Sequence, residues 1–391
     1  RWISSCHGRC WPSLSYFPLG LHFWPVFILP GVRRPVRPPW PCARSSHISR
    51  KAVILVVAAI MLTAMAVFQA VLETGGPDPI PAEGVDRSRL SELLGSKRPE
   101  GYAVADAPRT FNFPQDHGPH PEFRNEWWYL TGNLEDERRQ RFGYELTIFR
   151  FSLSPENDAH SSTSAWRTNQ VFIAHFAVTE AENQKFHVEQ RYARGALGLA
   201  GAQSTPFRVW IEDWSVAENP EPSGNGDSAE NWLLDVAGEN LGLKLNLMAE
   251  KTIILNGIDG LSQKSAEPGN ASYYYSIPRL GSSGQLKIGS KSYKVSGSSW
   301  LDREWSSSAL SDDQQGWDWF ALQLSDGSEL MFYNLRKVDG SQDPHSGGTF
   351  VAANGQARHL RADEVDILVT DEWASPRGGT YPARWALELP S

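Results

Sequence analysis

The sequence predicts an all-β protein of duplicated antiparallel architecture, carried behind one apolar helix. Two aromatic strands of the same design predict the duplication. Asn125-Glu126-Trp127-Trp128-Tyr129-Leu130-Thr131-Gly132-Asn133-Leu134 has an acid at its head and three adjacent aromatics. Trp317-Asp318-Trp319-Phe320-Ala321-Leu322-Gln323-Leu324 repeats that design later in the chain. Each run ends in a polar turn followed by a return strand. Composition predicts the helix, because residues 1–72 carry eight of the 37 Lys and Arg and none of the 45 acids.

Residues 52–72 are a run of 21 without a charge, long enough to cross a bilayer at about 1.5 Å per residue. Arg44, Arg50 and Lys51 precede it. The positive-inside bias therefore predicts a membrane-anchored protein whose globular part is periplasmic or extracellular. A cleaved signal, giving a secreted form, is the rival reading, although Phe68-Gln69-Ala70 is a poor cleavage site. Residues 1–49 mix Pro, Arg and bulky aromatics without a period, and the first methionine is Met61. That stretch reads as unstructured, or as a non-native segment upstream of the true start. All three cysteines (Cys6, Cys10, Cys42) lie there. Cys6-x3-Cys10 lacks a second pair, so no metal site is expected from it, and no disulfide is available to the exported part. Beyond residue 72 the charge is 29 basic against 45 acidic, a net of −16. Such a surface argues against nucleic acid as a partner and against binding to an anionic membrane surface. The sequence identifies no protein partner.

Residues 73–110 read as a linker with a short helix at 88–94, stopped by Gly95. Strands are predicted at 126–134 and 141–151, joined as a hairpin by the charged turn 135–140. Others follow at 170–179, 186–192, 206–214, 232–237 and 241–249, the spacing of an antiparallel meander or barrel. Residues 217–230 and 256–271 read as long loops. Strands at 284–288, 291–296 and 299–305 complete a first domain, 111–305. A second domain, 316–391, carries strands at 317–324, 328–336, 348–353, 365–370 and 384–389. Aligning Trp127 with Trp317 puts Leu134 on Leu324, Asp136 on Asp326 and, after a short gap, Phe149-Arg150 on Leu335-Arg336. Ser391 falls just after a strand with nothing to pair it, so the second domain is expected to be incomplete.

Alternate residues of a strand share a face. Asp318 thus joins Phe320, Leu322 and Leu324, where an acid is paired, raised in pKa, or set at the strand's mouth in water. Trp300, Asp302 and Glu304 share a face, with Leu301, Arg303 and Trp305 opposite. Two carboxylates at i and i+2 suit an acid and base pair, or a polar outer face paired to arginines. Glu126 heads the face of Trp128 and Leu130. The loop Asp116-His117-Gly118-Pro119-His120-Pro121-Glu122 gathers two histidines and two acids, yet its spacing fits no common zinc pattern and no metal is expected. His175 is a hydrogen-bonded core histidine or, with Val171, Ile173 and Ala177, part of a ligand-bearing barrel interior. No Gly-x-Ser-x-Gly elbow, P-loop or dinucleotide fingerprint opens a helix.

Asp116-His117-Gly118-Pro119-His120, the 125–134 strand, Ser164-Ala165-Trp166-Arg167-Thr168-Asn169-Gln170, Ala174-His175-Phe176-Ala177 and Arg194-Gly195-Ala196-Leu197-Gly198 together resemble a known family. Trp300-Leu301-Asp302-Arg303-Glu304-Trp305 and Gly316-Trp317-Asp318-Trp319-Phe320 match its later signature. It is the AttH-like / carotenoid 1,2-hydratase family, often called predicted secreted hydrolases, and the resemblance runs from about Phe111 to the end. It implies two lipocalin-like antiparallel β-barrel domains, the second truncated here. It also implies an apolar lipid or isoprenoid ligand that the protein hydrates or hydrolyses by carboxylic acid catalysis. The hydratase branch adds water to an isoprenoid double bond, with no cofactor. On that reading Asp302 or Asp318 protonates the alkene and His175 or Glu304 handles the water; Glu126 is a further candidate catalytic residue without an assigned step. Trp305, Trp317, Trp319 and Tyr129 stabilise the tertiary cation, each ring by roughly 0.5–2 kcal/mol. Trp127, Trp128 and Trp300 complete the expected ligand lining. The competing readings are a non-catalytic carrier or sensor of apolar ligands, and a structural double barrel whose tryptophans only fill the core.

Overall fold

The computed structural model describes residues 100–155, 164–220, 230–307, 310–375 and 379–389. The expected segment 1–49, span 52–72 and helix 88–94 lie outside the described residues. Among the described residues, no helix is long and apolar enough to cross a membrane. Apart from short 3-10 turns, the regular structure there is all strand.

The predicted first hairpin is present as β1 (Asn125–Asp136) and β2 (Arg141–Ser152), extended by β3 (Gln170–Glu180) and β4 (Lys185–Arg194). On the other side of β1 lies β13 (Lys291–Ser306), followed by β12 (Ala271–Ile288) and β9 (Leu241–Ala249). The sheet continues through β8 (Asn231–Ala237), β7 (Trp214–Glu218), β6 (Phe207–Ile211) and β5 (Ala200–Ser204). The short strands β10 (Ile254–Leu255) and β11 (Leu261–Gln263) pair with β12.

Period-two alternation gives this sheet one apolar face, and strand twist curls it into a nearly closed barrel around that face. β1 turns Trp128, Leu130 and Leu134 inward, β3 turns Phe172, Ala174, Phe176 and Val178 inward, and both join one core with residues of β6 to β9. Phe176 on β3 meets Trp214 on β7 with ring centroids 5.9 Å apart. Arg191 on β4 lies 4.4 Å over the same indole, so strands from the two ends of the sheet face each other. Trp128, Trp214, Trp305, Phe142, Phe172 and Phe207 are fully buried, each burial worth roughly 1.5–3 kcal/mol. Aromatic side chains occupy the interior that a ligand-carrying barrel would leave open.

Two departures from the sequence pattern have plain causes. β12 is far longer than the predicted 284–288, because Pro278 and Gly281 interrupt its pattern. Pro278 sits inside a register shift between Ile277 and Leu280, a bulge where its missing N–H costs no ladder bond. Likewise the predicted strands at 291–296 and 299–305 are one continuous strand, β13.

A second antiparallel sheet contains β14 (Gln314–Gln323), β15 (Glu329–Lys337), β16 (Gly347–Val351) and β17 (Ala357–Arg361). β18 (Asp366–Ala374) and β19 (Thr380–Glu388) form a separate hairpin. Trp127 pairs with Phe149 across β1 and β2, and Trp317 pairs with Leu335 across β14 and β15. The two hairpins thus share the register that the sequence alignment implies. Met331, Tyr333, Leu335, Trp319 and Ala321 pack one face of the second sheet onto Tyr274 and Trp300, on the barrel's outer surface. Its other face packs Leu330, Phe332, Leu322, Leu360 and Val365 with Ile367 and Leu387. The fully buried Glu329 fastens the two sheets, accepting from Lys251 Nζ and Arg279 Nε at 2.7 Å each.

Candidate functional site

The outer face of the barrel beneath β14 is built from cross-strand rows. In the central row, His175 on β3 pairs with Thr147 on β2, Thr147 with Tyr129 on β1, Tyr129 with Asp302 on β13, and Asp302 with Ser276 on β12. One flanking row runs Ile173, Phe149, Trp127, Glu304, Tyr274. The other brings together Ala177, Glu145, Thr131 and Trp300. Because β1 lies between β2 and β13, the 125–134 and 300–305 motifs meet side by side. Trp319 covers them, 5.2 Å from the Tyr129 ring in an edge-to-face contact, and its Nε1 donates to Tyr274 Oη at 3.3 Å.

Asp302 is the chemical centre of this face. Its Oδ1 accepts from Ser276 Oγ at 2.5 Å and from Trp300 Nε1 at 2.8 Å. Burial pushes its carboxyl up to about 7, against the opposing pull of hydrogen bonds from Ser276, Trp300 and Tyr274. Burial likewise pushes Glu145 up to about 7, opposed by its hydrogen bond from Thr147. Burial lowers the pKa of His175, favouring its neutral form. Tyr129 and Tyr274 are raised well above the ordinary phenol value, first by burial and then by neighbouring carboxylates. Trp127, Tyr129, Glu145 and Trp319 are only half-buried, so these walls keep some access to solvent. Glu304 pairs with Lys264 Nζ at 3.2 Å and accepts from Ser272. The Lys264 ammonium lies 4.1 Å over the Tyr333 ring.

Several sequence candidates lie elsewhere. Glu126, Trp128 and Trp305 point into the barrel core. The Glu126 carboxylate is gripped by Arg150 and Arg303. Burial opposes its ionisation, but the two guanidinium groups and His120 hold it far below the usual carboxylate range. It is a clamped anion with no proton to give. Arg303 lies 4.0 Å over Trp128, and His120 stacks on Trp305 at 3.8 Å, so these rings serve a buried ionic network. Asp318 sits with Phe320 and Leu322 on the face of β14 that looks away from Asp302, 3.6 Å from Arg336 and accepting from Asn334 at 3.3 Å. Trp317 is on the Trp319 face but 41% exposed, at the rim. The face of His175 is the outer one, since Phe172, Ala174 and Phe176 occupy the interior.

Glu145, Thr147, Tyr274, Ser276 and Lys264 belong to this face and carry no sequence motif. The available signal was the alternation of Ser272, Tyr274 and Ser276, polar on every second residue of a strand.

The sequence profile of the AttH-like family matches residues 104–391. A protein designated AttH from Nitrosomonas europaea is 30% identical, aligned over 73% of this chain and 84% of that chain at a TM-score of 0.64. Kievitone hydratase from Nectria haematococca is 15% identical over 75% of this chain and 81% of that one, at a TM-score of 0.50, a likeness of fold. No curated protein matches the sequence.

Proposed function

The chain belongs to the AttH-like family, and from that premise we propose that it is a cofactor-independent hydratase of an apolar, olefinic small molecule such as an isoprenoid. One observation carries this reading: a carboxyl held near pKa 7 on an aromatic face. A general acid works best with its pKa near the working pH, and protonating an isolated alkene requires an acid that still holds its proton. The shared fold with kievitone hydratase is an analogy of architecture, and function has to rest on the site.

In the proposed reaction, Asp302 delivers its proton to one alkene carbon, and the π electrons form the new C–H bond. The resulting tertiary cation lies against Tyr129, Trp127 and Trp319, whose ring faces attract positive charge. Water adds to the cation, and its surplus proton passes to solvent; His175 lies three strands from Asp302 in the row, about 14 Å away, too far to hold that water. Return of a proton from solvent to Asp302 closes the cycle with net addition of one water. Glu304, already paired to Lys264, is assigned to holding Lys264 and the local charge. A non-catalytic carrier or sensor could use the same aromatic face, and Asp302→Asn separates the two: it abolishes turnover in an enzyme and leaves a carrier's ligand binding unchanged. A membrane-anchored or secreted envelope location, drawn from residues 52–72, is part of the same proposal.

Lipid extraction and native mass spectrometry of the full-length protein test the ligand class. A co-purifying or added isoprenoid that binds, and is displaced by Trp319→Arg, supports the reading. Binding that Trp319→Arg leaves untouched would put the ligand elsewhere.

A further inference from the structure

We infer that Thr349, Asn256 and Ser276 form a positioning relay through which the second sheet fixes the Asp302 carboxyl; the inference rests on Asp302 being the acid proposed above. Thr349 Oγ1, on β16, donates to Asn256 Oδ1 at 2.8 Å. Asn256 Nδ2 donates to Ser276 Oγ at 2.8 Å, and Ser276 Oγ donates to Asp302 Oδ1 at 2.5 Å. All four residues are buried, at 3%, 1%, 1% and 4% exposure.

The direction of each link follows from its chemistry. A threonine hydroxyl facing an amide oxygen must donate, which turns the amide NH2 toward Ser276. Ser276 then receives a hydrogen bond and has its single hydrogen left for Asp302. Trp300 Nε1, a donor only, takes the same carboxyl oxygen. With two donors on Oδ1, Oδ2 is the oxygen left to carry the acid proton, with Tyr274 the carboxyl's third hydrogen-bond partner. The relay thus selects the oxygen that carries the proton, and its aligned donors favour the ionised form of Asp302. Asn256 lies between β10 and β11, where its backbone N–H donates to Tyr274 O at 2.9 Å. The relay is therefore anchored at both ends by strands of different sheets. Thr349, Asn256 and Ser276 act through Asp302 and are positioning residues.

A merely structural role, fastening one sheet to the other, would leave the titration of Asp302 unmoved. The groups facing Asp302 are Glu304 on its own strand, Tyr274 on β12, Tyr129 on β1 with Glu145 beyond it on β2, and Lys264 after β11. The side-chain hydrogen bond of Thr349 goes to Asn256 and to none of these groups.

The test is an infrared or carbon-13 NMR pH titration of carboxyl groups in the full-length protein, with the Asp302 signal identified by its loss in Asp302→Asn. No substrate is needed, so the outcome is independent of whether the protein hydrates anything. Loss of one hydrogen bond worth about 0.5–1.5 kcal/mol corresponds to a midpoint shift of roughly 0.4–1 pH unit. Ser276→Ala and Thr349→Val are expected to move the Asp302 midpoint upward, with the larger shift in Ser276→Ala, and Thr349→Ser is expected to restore it. An unmoved midpoint in Thr349→Val, or a shift that Thr349→Ser fails to reverse, overturns the relay. If Thr349→Val does not fold, Ser276→Ala decides alone: an unmoved midpoint there overturns it equally.

Discussion

Tyr129 stands directly across from Asp302 on the neighbouring strand, so that a phenol ring and a carboxyl from distant motifs share one row of the sheet. The pairing follows from β13 returning to lie beside β1 after the whole first barrel has been traced. It makes the two sequence motifs parts of one surface. Trp319 closes over that surface from the second sheet.

The raised carboxyls give stability a defined pH dependence. Asp302 and Glu145 keep their protons to about pH 7 in the folded state, whereas unfolded carboxyls titrate near about 4. The folded protein therefore binds more protons between those values, and stability falls as pH rises through the window. Urea unfolding at pH 5 and pH 7.5 should show a decline that is shallower in Asp302→Asn. An identical slope in the variant contradicts the raised carboxyl. Glu126, lowered by its two arginines, contributes oppositely, and only below the unfolded carboxylate range.

Glu126→Gln leaves Arg150 and Arg303 buried without their counter-charge and should cost about 3–5 kcal/mol. Asp318→Asn, at a partly exposed pair, should cost about 1 kcal/mol or less. Denaturant midpoints read both. Wild-type stability in Glu126→Gln, with activity lost, would return Glu126 to the chemistry.

Much of the fold is legible in the residues. The alternation of β1, the hairpin turn at 135–140 and the facing of Trp300, Asp302 and Glu304 against Leu301, Arg303 and Trp305 all follow from period two. Which strands become neighbours does not, since β1 pairs with β13 through contacts far apart in sequence. That is why Glu126 stays a candidate beside Asp302 in the sequence: each is an acid beside indoles, and only the third dimension supplies Arg150 and Arg303 to Glu126 while Asp302 is buried against Ser276 and Trp300. Asp318 misleads for a related reason. Its strand repeats the pattern of β1, but the face it shares with Phe320 is turned toward the hairpin formed by β18 and β19.

Trp319 tests the ring-face role. Trp319→Leu should lower kcat for an isoprenoid alkene by about 2- to 30-fold, the equivalent of 0.5–2 kcal/mol of cation–π attraction. Trp319→Phe, which keeps a ring face, should retain most turnover. Equal losses in the two variants would mean that Trp319 contributes bulk alone.

The rate itself should follow the Asp302 proton. Turnover is expected to fall above about pH 7 as that carboxyl ionises, and a pH profile that stays flat to pH 9 contradicts the assignment.

Deuterium transfer from solvent tests the central claim most directly. Incubated with a trisubstituted isoprenoid alkene such as geraniol in D2O, the full-length protein should yield a tertiary alcohol bearing one new carbon-bound deuterium, read by mass spectrometry. Asp302→Asn, folded by thermal unfolding and circular dichroism, should form it at least about 100-fold more slowly. Equal deuterium incorporation by the wild type and Asp302→Asn would remove Asp302 from the role of acid.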